Sequence, residues 1–160
     1  MKKAFVIIPI LFIASYVYSQ EVVYVKKKGY EGYIFPKEHS ILGFPPEQNR
    51  YTPNLENIAQ AEKILQDSIG TDYVKSSQKA YCQPPINKNT LKRYVRQYVG
   101  YSTKDGKIII HIYLNKGIAM DKNDLSEDII EVFDGGSNHW RIKINISTKE
   151  LFDMQVNGIS

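Results

Sequence analysis

The sequence predicts an α+β fold in which one main helix packs on an antiparallel meander of four to five strands. Two observations predict this class. Apolar residues recur three and four positions apart over residues 52–69, which is the period of a helix. From Leu91 onwards apolar and polar residues alternate, which is typical of strands. We therefore expect the helix to cover the apolar side of the sheet.

Residues 1–19 have the pattern of a signal peptide. Lys2 and Lys3 precede an apolar run, and Val17 and Ser19 stand at the minus-three and minus-one positions of a cleavage site. A transmembrane helix is the alternative, but the run is shorter than the roughly 20 apolar residues that span a bilayer. We therefore expect an exported protein, periplasmic or extracellular, that has no transmembrane anchor in its mature form.

Charge and cysteine content restrict the function classes. Removing Lys2 and Lys3 leaves 19 of 21 basic residues against 17 acidic ones, so the formal charge falls from +4 to +2. This small excess does not indicate nucleic-acid binding. Cys82 is the only cysteine, which excludes an internal disulfide. Its surroundings, "KAYCQPP", offer nothing that lowers a thiol pKa, so we expect a semi-buried thiol and not a nucleophile.

The segment over residues 20–51 is irregular in composition. It contains several Gly and Pro residues, and only residues 22–25 and 33–35 resemble short strands. Its many tyrosine and phenylalanine residues predict that it packs on the domain, because disordered arms are usually poor in rings. A single α+β domain is then expected over residues 52–160.

The helix is predicted to begin at Thr52 or Pro53 and to end near Ile69. Thr52 can cap the first turn, Pro53 suits the first helical position, and Gly70 can close the end. A connection with little periodicity follows over residues 71–90. The apolar stripe of the helix consists of Leu55, Ile58, Ala61, Leu65 and Ile69, with Ile64 beside it.

The meander is predicted from five alternating stretches. The first two are joined by a hairpin turn at Asp105-Gly106, the strongest local signal in the chain. The expected strands are residues 90–102, 108–115, 128–133, 139–146 and 150–156.

Alternation assigns a face to each side chain. Trp140 and the isoleucines that follow it point one way, whereas His139, Arg141 and Lys143 point the other. The core side is expected to hold Ile108, Ile110, Ile112, Leu114, Ile130, Val132, Trp140, Ile142, Ile144, Ile146, Phe152, Met154 and Val156. The open side is expected to present Tyr94, Tyr98, His111, Tyr113, Glu131, Phe133, Arg141 and Lys143.

The stretch "EVFDGGSNHWRIKIN", residues 131–145, has two interpretations. As a turn between strands, its Gly, Asp, Ser and Asn residues have a structural cause. As a site, Asp134, Asn138 and His139 would present polar groups at one end of the sheet. Their spacing selects no ligand, since a zinc site needs three or four ligands, and no metal or cofactor is expected.

Catalytic motifs are missing from the sequence: there is no Gly-x-Ser-x-Gly elbow, no phosphate-binding glycine loop and no His-Glu-x-x-His. Aromatic and arginine side chains on one sheet face are instead typical of partner binding. Packing of the N-terminal segment or of the long connection over these rings is the alternative explanation for the same face.

Several strings carry a resemblance. One helix followed by an antiparallel meander resembles the cystatin-like architecture, and "WRIKINISTKELFDMQVNG" is similar to the ending of PepSY-type and related exported domains. The strings "YVRQYVGY" and "VFDGGSNHW" resemble a group of small exported bacterial proteins of uncharacterised function. Cystatins inhibit thiol proteases through a Gln-x-Val-x-Gly hairpin. Gln97 to Gly100, "QYVG", lacks one residue of that motif, so inhibition is not implied.

We therefore expect an exported, non-catalytic binding protein whose partner is a protein or an envelope component. The residues expected to bind are Tyr113, Phe133, Arg141, His111, Asp134, Asn138 and His139. The alternative is an envelope enzyme or enzyme inhibitor that uses the loop around Asp134 and His139. A third possibility, a purely structural envelope component, predicts no exposed patch.

Overall fold

A computed structural model describes residues 21–42, 49–78, 84–117, 121 and 123–158. The predicted signal peptide and Cys82 lie outside these residues. The α+β class is confirmed. In chain order the elements are β1 (Val23–Lys27), β2 (Tyr30–Phe35), β3 (Arg50–Tyr51), α1 (Leu55–Ser68), α2 (Asp72–Ser77), α3 (Lys88–Leu91), β4 (Val95–Ser102), β5 (Ile108–Asn115), α4 (Asp124–Glu127), a 3₁₀ turn (Gly136–Asn138), β6 (His139–Asn145) and β7 (Glu150–Val156).

The described strands form one mixed sheet of seven strands, more than the four or five predicted. Their order is β1-β2-β4-β5-β6-β7, and the short β3 pairs with the far end of β4. The pairing is antiparallel except between β2 and β4, which run parallel with Glu31 opposite Val95. The additional strands come from the N-terminal segment, which was expected to be irregular. Two of them, β1 and β2, overlap the short strands expected over residues 22–25 and 33–35, whereas β3 and the pairing of these strands into the main sheet were not predicted.

Helix α1 begins later than predicted. Asn54 caps it, since its side chain accepts from the Asn57 N–H at 2.8 Å and its own N–H donates to the Asn57 side chain at 3.1 Å. The Thr52 hydroxyl oxygen instead accepts from the Lys37 N–H at 2.9 Å. Gly70, with φ of +97°, lies just past the end of the helix, as its sequence position indicated.

The inner face of the sheet is the one that packs against α1. Ile58, Ala61 and Leu65 of the helix are fully buried on it. Leu55, which belonged to the predicted stripe, is 55% exposed because it lies in the first turn, beyond the core. The core residues predicted correctly are Ile110, Ile112, Leu114, Trp140, Ile142, Ile144, Ile146 and Met154, with Ile108 and Val156 packed against them.

Strand β7 departs from strict alternation. A register shift lies opposite residues 141–143, and Asp153 adopts a φ of +51°. As a result Leu151 packs on the inner core, whereas Phe152, predicted to be buried there, is 39% exposed opposite Lys143. One extra residue in a strand is enough to exchange the faces of its neighbours.

Residues 128–133, predicted as the third strand, form no strand. They are an extended segment that crosses the opposite face of the sheet, which we call the outer face. Ile130 packs there with the cluster around Tyr113 and not on the inner core, and Val132 is only half-buried. The prediction failed because a segment packed over a sheet shows the same apolar alternation as a strand within it.

The face of β4 was also predicted wrongly for two tyrosines. Tyr98 lies opposite Ile112 and is fully buried on the inner face, and Tyr94 packs there as well. The alternate residue Gln97 points to the outer face instead. Tyr94 and Tyr98 were expected on the open side of the sheet, whereas the pairing of β4 with β5 places Tyr98 on the inner face.

Two helices occupy the connection after α1, which was expected to have little structure. Val74 of α2 and Ile86, just before α3, both enter the inner core. The Tyr73 hydroxyl accepts from the N–H of Met154 at 2.9 Å, beside the irregularity in β7. These helices therefore extend the cover that α1 gives to the inner face.

Candidate functional site

The outer face is not the open surface that alternation suggested. Tyr113 is 5% and His111 is 6% exposed, although both were predicted to be binding residues on an open side. Tyr113 packs against Leu125, Ile129 and Ile130 of the segment over residues 123–132. The cluster that forms there consists of Tyr33, Phe35, Ile41, Val99, Tyr113 and Leu125, with Val22, Val95, Ile129 and Ile130 against it.

Gln97 fastens this covering segment to the sheet. Its side-chain nitrogen donates to the carbonyls of Leu125 at 2.9 Å and Asp128 at 2.7 Å. Its side-chain oxygen accepts from the N–H of Ile130 at 2.9 Å and from the Asn115 side chain at 3.3 Å. The Gln97 side chain is fully buried, so one glutamine satisfies backbone groups that would otherwise lose water without compensation.

His111 and Tyr113 lie side by side on the outer face, with ring centroids 4.2 Å apart. Burial lowers the pKa of His111 to about 3, and the charges of Lys143 and Arg141 act in the same direction. Burial also raises the pKa of Tyr113. Both rings are therefore uncharged near neutral pH, and neither is placed to meet a large partner.

The loop over residues 134–138 is a compact turn, as one of the two interpretations held. Gly135 and Gly136 have φ values of +88° and +55°. A Cβ on Gly135 would lie 2.7 Å from the His139 ring, so only glycine fits there. Asn138 donates its N–H to the Gly135 carbonyl at 3.0 Å, and Asp134 is exposed.

His139 is half-buried and engaged on the protein side. Its Nδ1 lies 2.9 Å from the Asn115 side-chain oxygen, and burial lowers its pKa against the opposing charge of Asp134. The space that borders His139, Glu131 and Arg141 is about 10 Å³, enough for no more than about one water molecule. The depression next to the ring is therefore shallow.

Phe133 is the most exposed ring in the described residues, at 96%. Its backbone is nevertheless held from both sides, because the Asn157 side-chain nitrogen donates to the carbonyls of Val132 and Asp134. Gly136 donates to the Gly158 carbonyl at 2.8 Å and holds the same loop against the end of the chain. The ring is thus presented at a defined place and not on a loose tip.

Charged and amide groups lie near the segment that carries this ring. Arg141 donates to Glu131, two residues before Phe133, at 2.8 Å and to the Gln155 side chain at 2.7 Å. Both groups of this ion pair are partly exposed. We call Glu131, Phe133, Arg141 and Gln155 the Phe133 platform.

A second feature of the outer face was missed by sequence reasoning. A cleft of about 260 Å³ lies where β1, β2 and β4 meet the end of β5. The pairing of β1 with β2 places Tyr24 opposite Tyr33 and Lys26 opposite Glu31. Short strands were expected over residues 22–25 and 33–35, but their pairing was not predicted. The cleft is lined by Tyr24, Lys26, Glu31, Tyr33, Arg93, Val95, Asn115, Lys116, Gly117 and Leu125.

No protein-family model, no curated protein and no solved structure matches the chain. The resemblance to cystatin-like and PepSY-type domains stays a prediction. Over the part of the chain that the structure describes, no helix is long and apolar enough to cross a membrane. Within the same ranges, no three His, Cys, Asp or Glu residues come together as metal ligands would.

Proposed function

We propose that the protein is an exported, non-catalytic binding protein that recognises a protein partner or an envelope component through the Phe133 platform. The observation that carries this proposal is a phenylalanine that is 96% exposed on a loop fixed by Asn157. An exposed phenylalanine forgoes the roughly 1.5–3 kcal/mol that burial of its side chain contributes, and burial against a partner would recover it.

The surroundings of the ring support association. Aromatic and arginine side chains are the residue types that contribute most at protein interfaces, and a polar rim that excludes water usually surrounds them. Arg141, held by Glu131 and Gln155, supplies such a rim. Because the loop backbone is already fixed, binding would cost less conformational entropy than it would for a mobile loop.

The histidines support binding over chemistry as well. His111 is buried and uncharged at neutral pH, and His139 is hydrogen-bonded to Asn115 with about 10 Å³ beside it. General acid or base catalysis requires a titrating group within reach of a bound substrate. We therefore rank association above the envelope enzyme or inhibitor that would use Asp134 and His139.

Cross-linking of the purified protein to components of its native envelope tests the proposal. Phe133→Ala is compared with Leu55→Ala, which removes an exposed apolar side chain from the opposite side of the sheet. A specific partner should be recovered by the wild type and by Leu55→Ala, and lost at least ~10-fold with Phe133→Ala, as expected for an anchor worth about 1.4 kcal/mol or more.

Direct titration of the recovered partner against each variant completes the test, with thermal unfolding as the check that all variants fold. Equal affinity of wild type and Phe133→Ala would refute the assigned platform. Recovery that depends on Arg141 but not on Phe133 would also count against it, because the ring is the proposed anchor.

A further inference from the structure

The outer-face cleft is a second concave surface, separate from the Phe133 platform. Its long walls are aromatic: the rings of Tyr24 and Tyr33 lie 5.2 Å apart and tilted by 51°. Tyr33 is only 7% exposed and forms part of the floor, whereas Tyr24 stands at the rim. Val95 and Leu125 add apolar contact surface. Such walls accommodate a flat or apolar group.

The charges at the cleft are unbalanced. Three cations line it, Lys26, Arg93 and Lys116, against the single carboxylate of Glu31. Glu31 already accepts from Lys26 at 2.8 Å and from the Tyr24 hydroxyl at 2.6 Å. In the described ranges Arg93 and Lys116 have no such carboxylate partner. Among the described residues, no carboxylate side chain lines the end of the cleft that they border.

Lys116 is one of the two cations at this end of the cleft. Its Nζ lies 5.2 Å from the centre of the inner-face Tyr94 ring, a cation–π distance, and Lys116, just past the end of β5, also lines the outer-face cleft. Burial lowers the pKa of Lys116, and the charge of Arg93 lowers it further. Two neighbouring cations without a counter-charge would gain from an anion between them.

The floor of the cleft is rigid. Asn115 is 3% exposed, donates to Gln97 and lies 2.9 Å from the His139 ring nitrogen, so its side chain is fixed before a ligand arrives. A volume of about 260 Å³ is just below the range of roughly 300–1,000 Å³ found for sites of drug-sized ligands. It suits one ring or one short apolar group with an attached anion.

We propose that this cleft binds a small carboxylate or phosphate carried on a ring or short apolar group. Arg93 and Lys116 hold the anion, and Tyr24 and Tyr33 contact the body of the ligand. The cleft differs from the Phe133 platform in its residues and in the size of the ligand that it binds. It goes beyond the proposed partner binding and does not depend on it.

Amide chemical shifts of the ¹⁵N-labelled protein, titrated with benzoate, phenyl phosphate, inorganic phosphate and neutral benzamide, test the proposal. Benzoate or phenyl phosphate should give saturable shifts at Tyr33, Val95 and Lys116. Inorganic phosphate and benzamide, which each lack one half of the ligand, should bind at least ~10-fold more weakly, since one charge-assisted or one aromatic contact is lost.

The matched variants are two double substitutions that remove the same charge. Arg93→Gln with Lys116→Gln should lower the affinity for the better anion at least ~10-fold. Lys88→Gln with Lys92→Gln, which removes two exposed lysines outside the cleft, should change it less than ~2-fold. The benzoate and phenyl phosphate arms show which anion is preferred.

Three results would overturn the inference. The first is the absence of saturable shifts with both organic anions. The second is an equal loss of affinity in the two double variants, which would mean that net charge and not the cleft attracts the anion. The third is inorganic phosphate binding as tightly as phenyl phosphate, which would remove the role assigned to the tyrosines.

The Phe133→Ala variant should leave every one of these chemical-shift changes unaltered. Failure of the proposed Phe133 platform and failure of the proposed cleft are therefore distinguishable.

Discussion

The two faces of the sheet exclude water by different means. The inner face is covered by α1 and by a large cluster of aliphatic and aromatic side chains. The outer face is covered by an extended segment and a smaller apolar cluster, and the segment is held in place mainly by the hydrogen bonds of Gln97. The candidate binding features, the Phe133 platform and the cleft, both lie on the outer side.

This difference follows from what covers each face. A helix satisfies its own backbone hydrogen bonds and can bury an apolar stripe, whereas an extended segment must find partners for each buried N–H and carbonyl. The outer cover therefore has the hydrogen-bonded Gln97 side chain at its centre. Among the described residues, it leaves Phe133 and the cleft accessible. Incomplete cover leaves room for a cleft and exposes a ring, and such surfaces are where proteins bind other molecules.

The largest effect is expected on the inner face, at a buried ion pair. Glu62 of α1 and Arg96 of β4 form an ion pair at 3.1 Å whose side chains are 1% and 0% exposed, and the Tyr98 hydroxyl donates to Glu62 at 2.9 Å. Glu62→Gln leaves the Arg96 charge buried without its counter-charge. We expect a loss of about 3–5 kcal/mol in the free energy of unfolding, measured by urea titration.

Glu56→Gln on the same helix is the matched control, since Glu56 is exposed, and should cost less than about 1 kcal/mol. Replacing the whole pair, Glu62→Leu with Arg96→Met, should recover most of the loss, because no unpaired charge then remains. A loss below about 1 kcal/mol for Glu62→Gln would show that the inner face does not depend on this pair.

A smaller, more local effect is expected on the outer face for Gln97→Ala. The variant leaves the Leu125 and Asp128 carbonyls and the Ile130 N–H without their partner, at a cost of about 1–3 kcal/mol. Hydrogen exchange should rise over residues 125–130 while α1 stays protected. Gln155→Ala, which removes an exposed glutamine from the same face, is the control. An equal rise in amide hydrogen exchange over both faces in Gln97→Ala would contradict the inference that the two faces are covered independently.

The last expected effect is a pH dependence located on the outer face, which is absent at neutral pH and grows as the pH falls. His111 has its pKa lowered from 6.5 to about 3 in the folded protein, so below pH 6.5 the unfolded chain binds a proton that the folded chain does not. This contribution to stability is complete above pH 6.5 and is lost as the pH falls towards 3, at no more than about 1.4 kcal/mol per pH unit.

His111→Phe should remove this part of the acid sensitivity, seen as a shallower fall of the unfolding free energy between pH 6.5 and pH 4. His39→Phe, which replaces a histidine in the loop after β2, is the comparison variant. An unchanged slope in His111→Phe would mean that the outer cover opens readily enough to protonate the ring.

Local pattern predicted the helix and the strands that contribute most to the inner core. Strand β5 and its hairpin turn lie where the alternation and Asp105-Gly106 placed them, and Trp140, Ile142 and Ile144 are buried as predicted. Alternation was insufficient for β7, because the irregularity at Asp153 moves Phe152 to the other face. A bulge has no reliable sequence signature.

Of the residues expected to bind, some are accessible and others are not. Phe133 and Arg141 are accessible, as their expected role requires, whereas Tyr113 and His111 are covered. The cleft was missed because its walls come from the N-terminal strands and its cations from Arg93 and Lys116, about 70–90 residues further along the chain. Only the parallel pairing of β2 with β4 brings these groups together.

The sequence by itself determined which residues share a strand or a helix face, because these relations depend on backbone geometry over a few residues. It determined the α+β class for the same reason. The tertiary structure alone decided what covers the second face of the sheet, which tyrosines are buried and where a cleft remains. Those outcomes depend on contacts between distant segments, and the free energy of such contacts is not encoded in any local period.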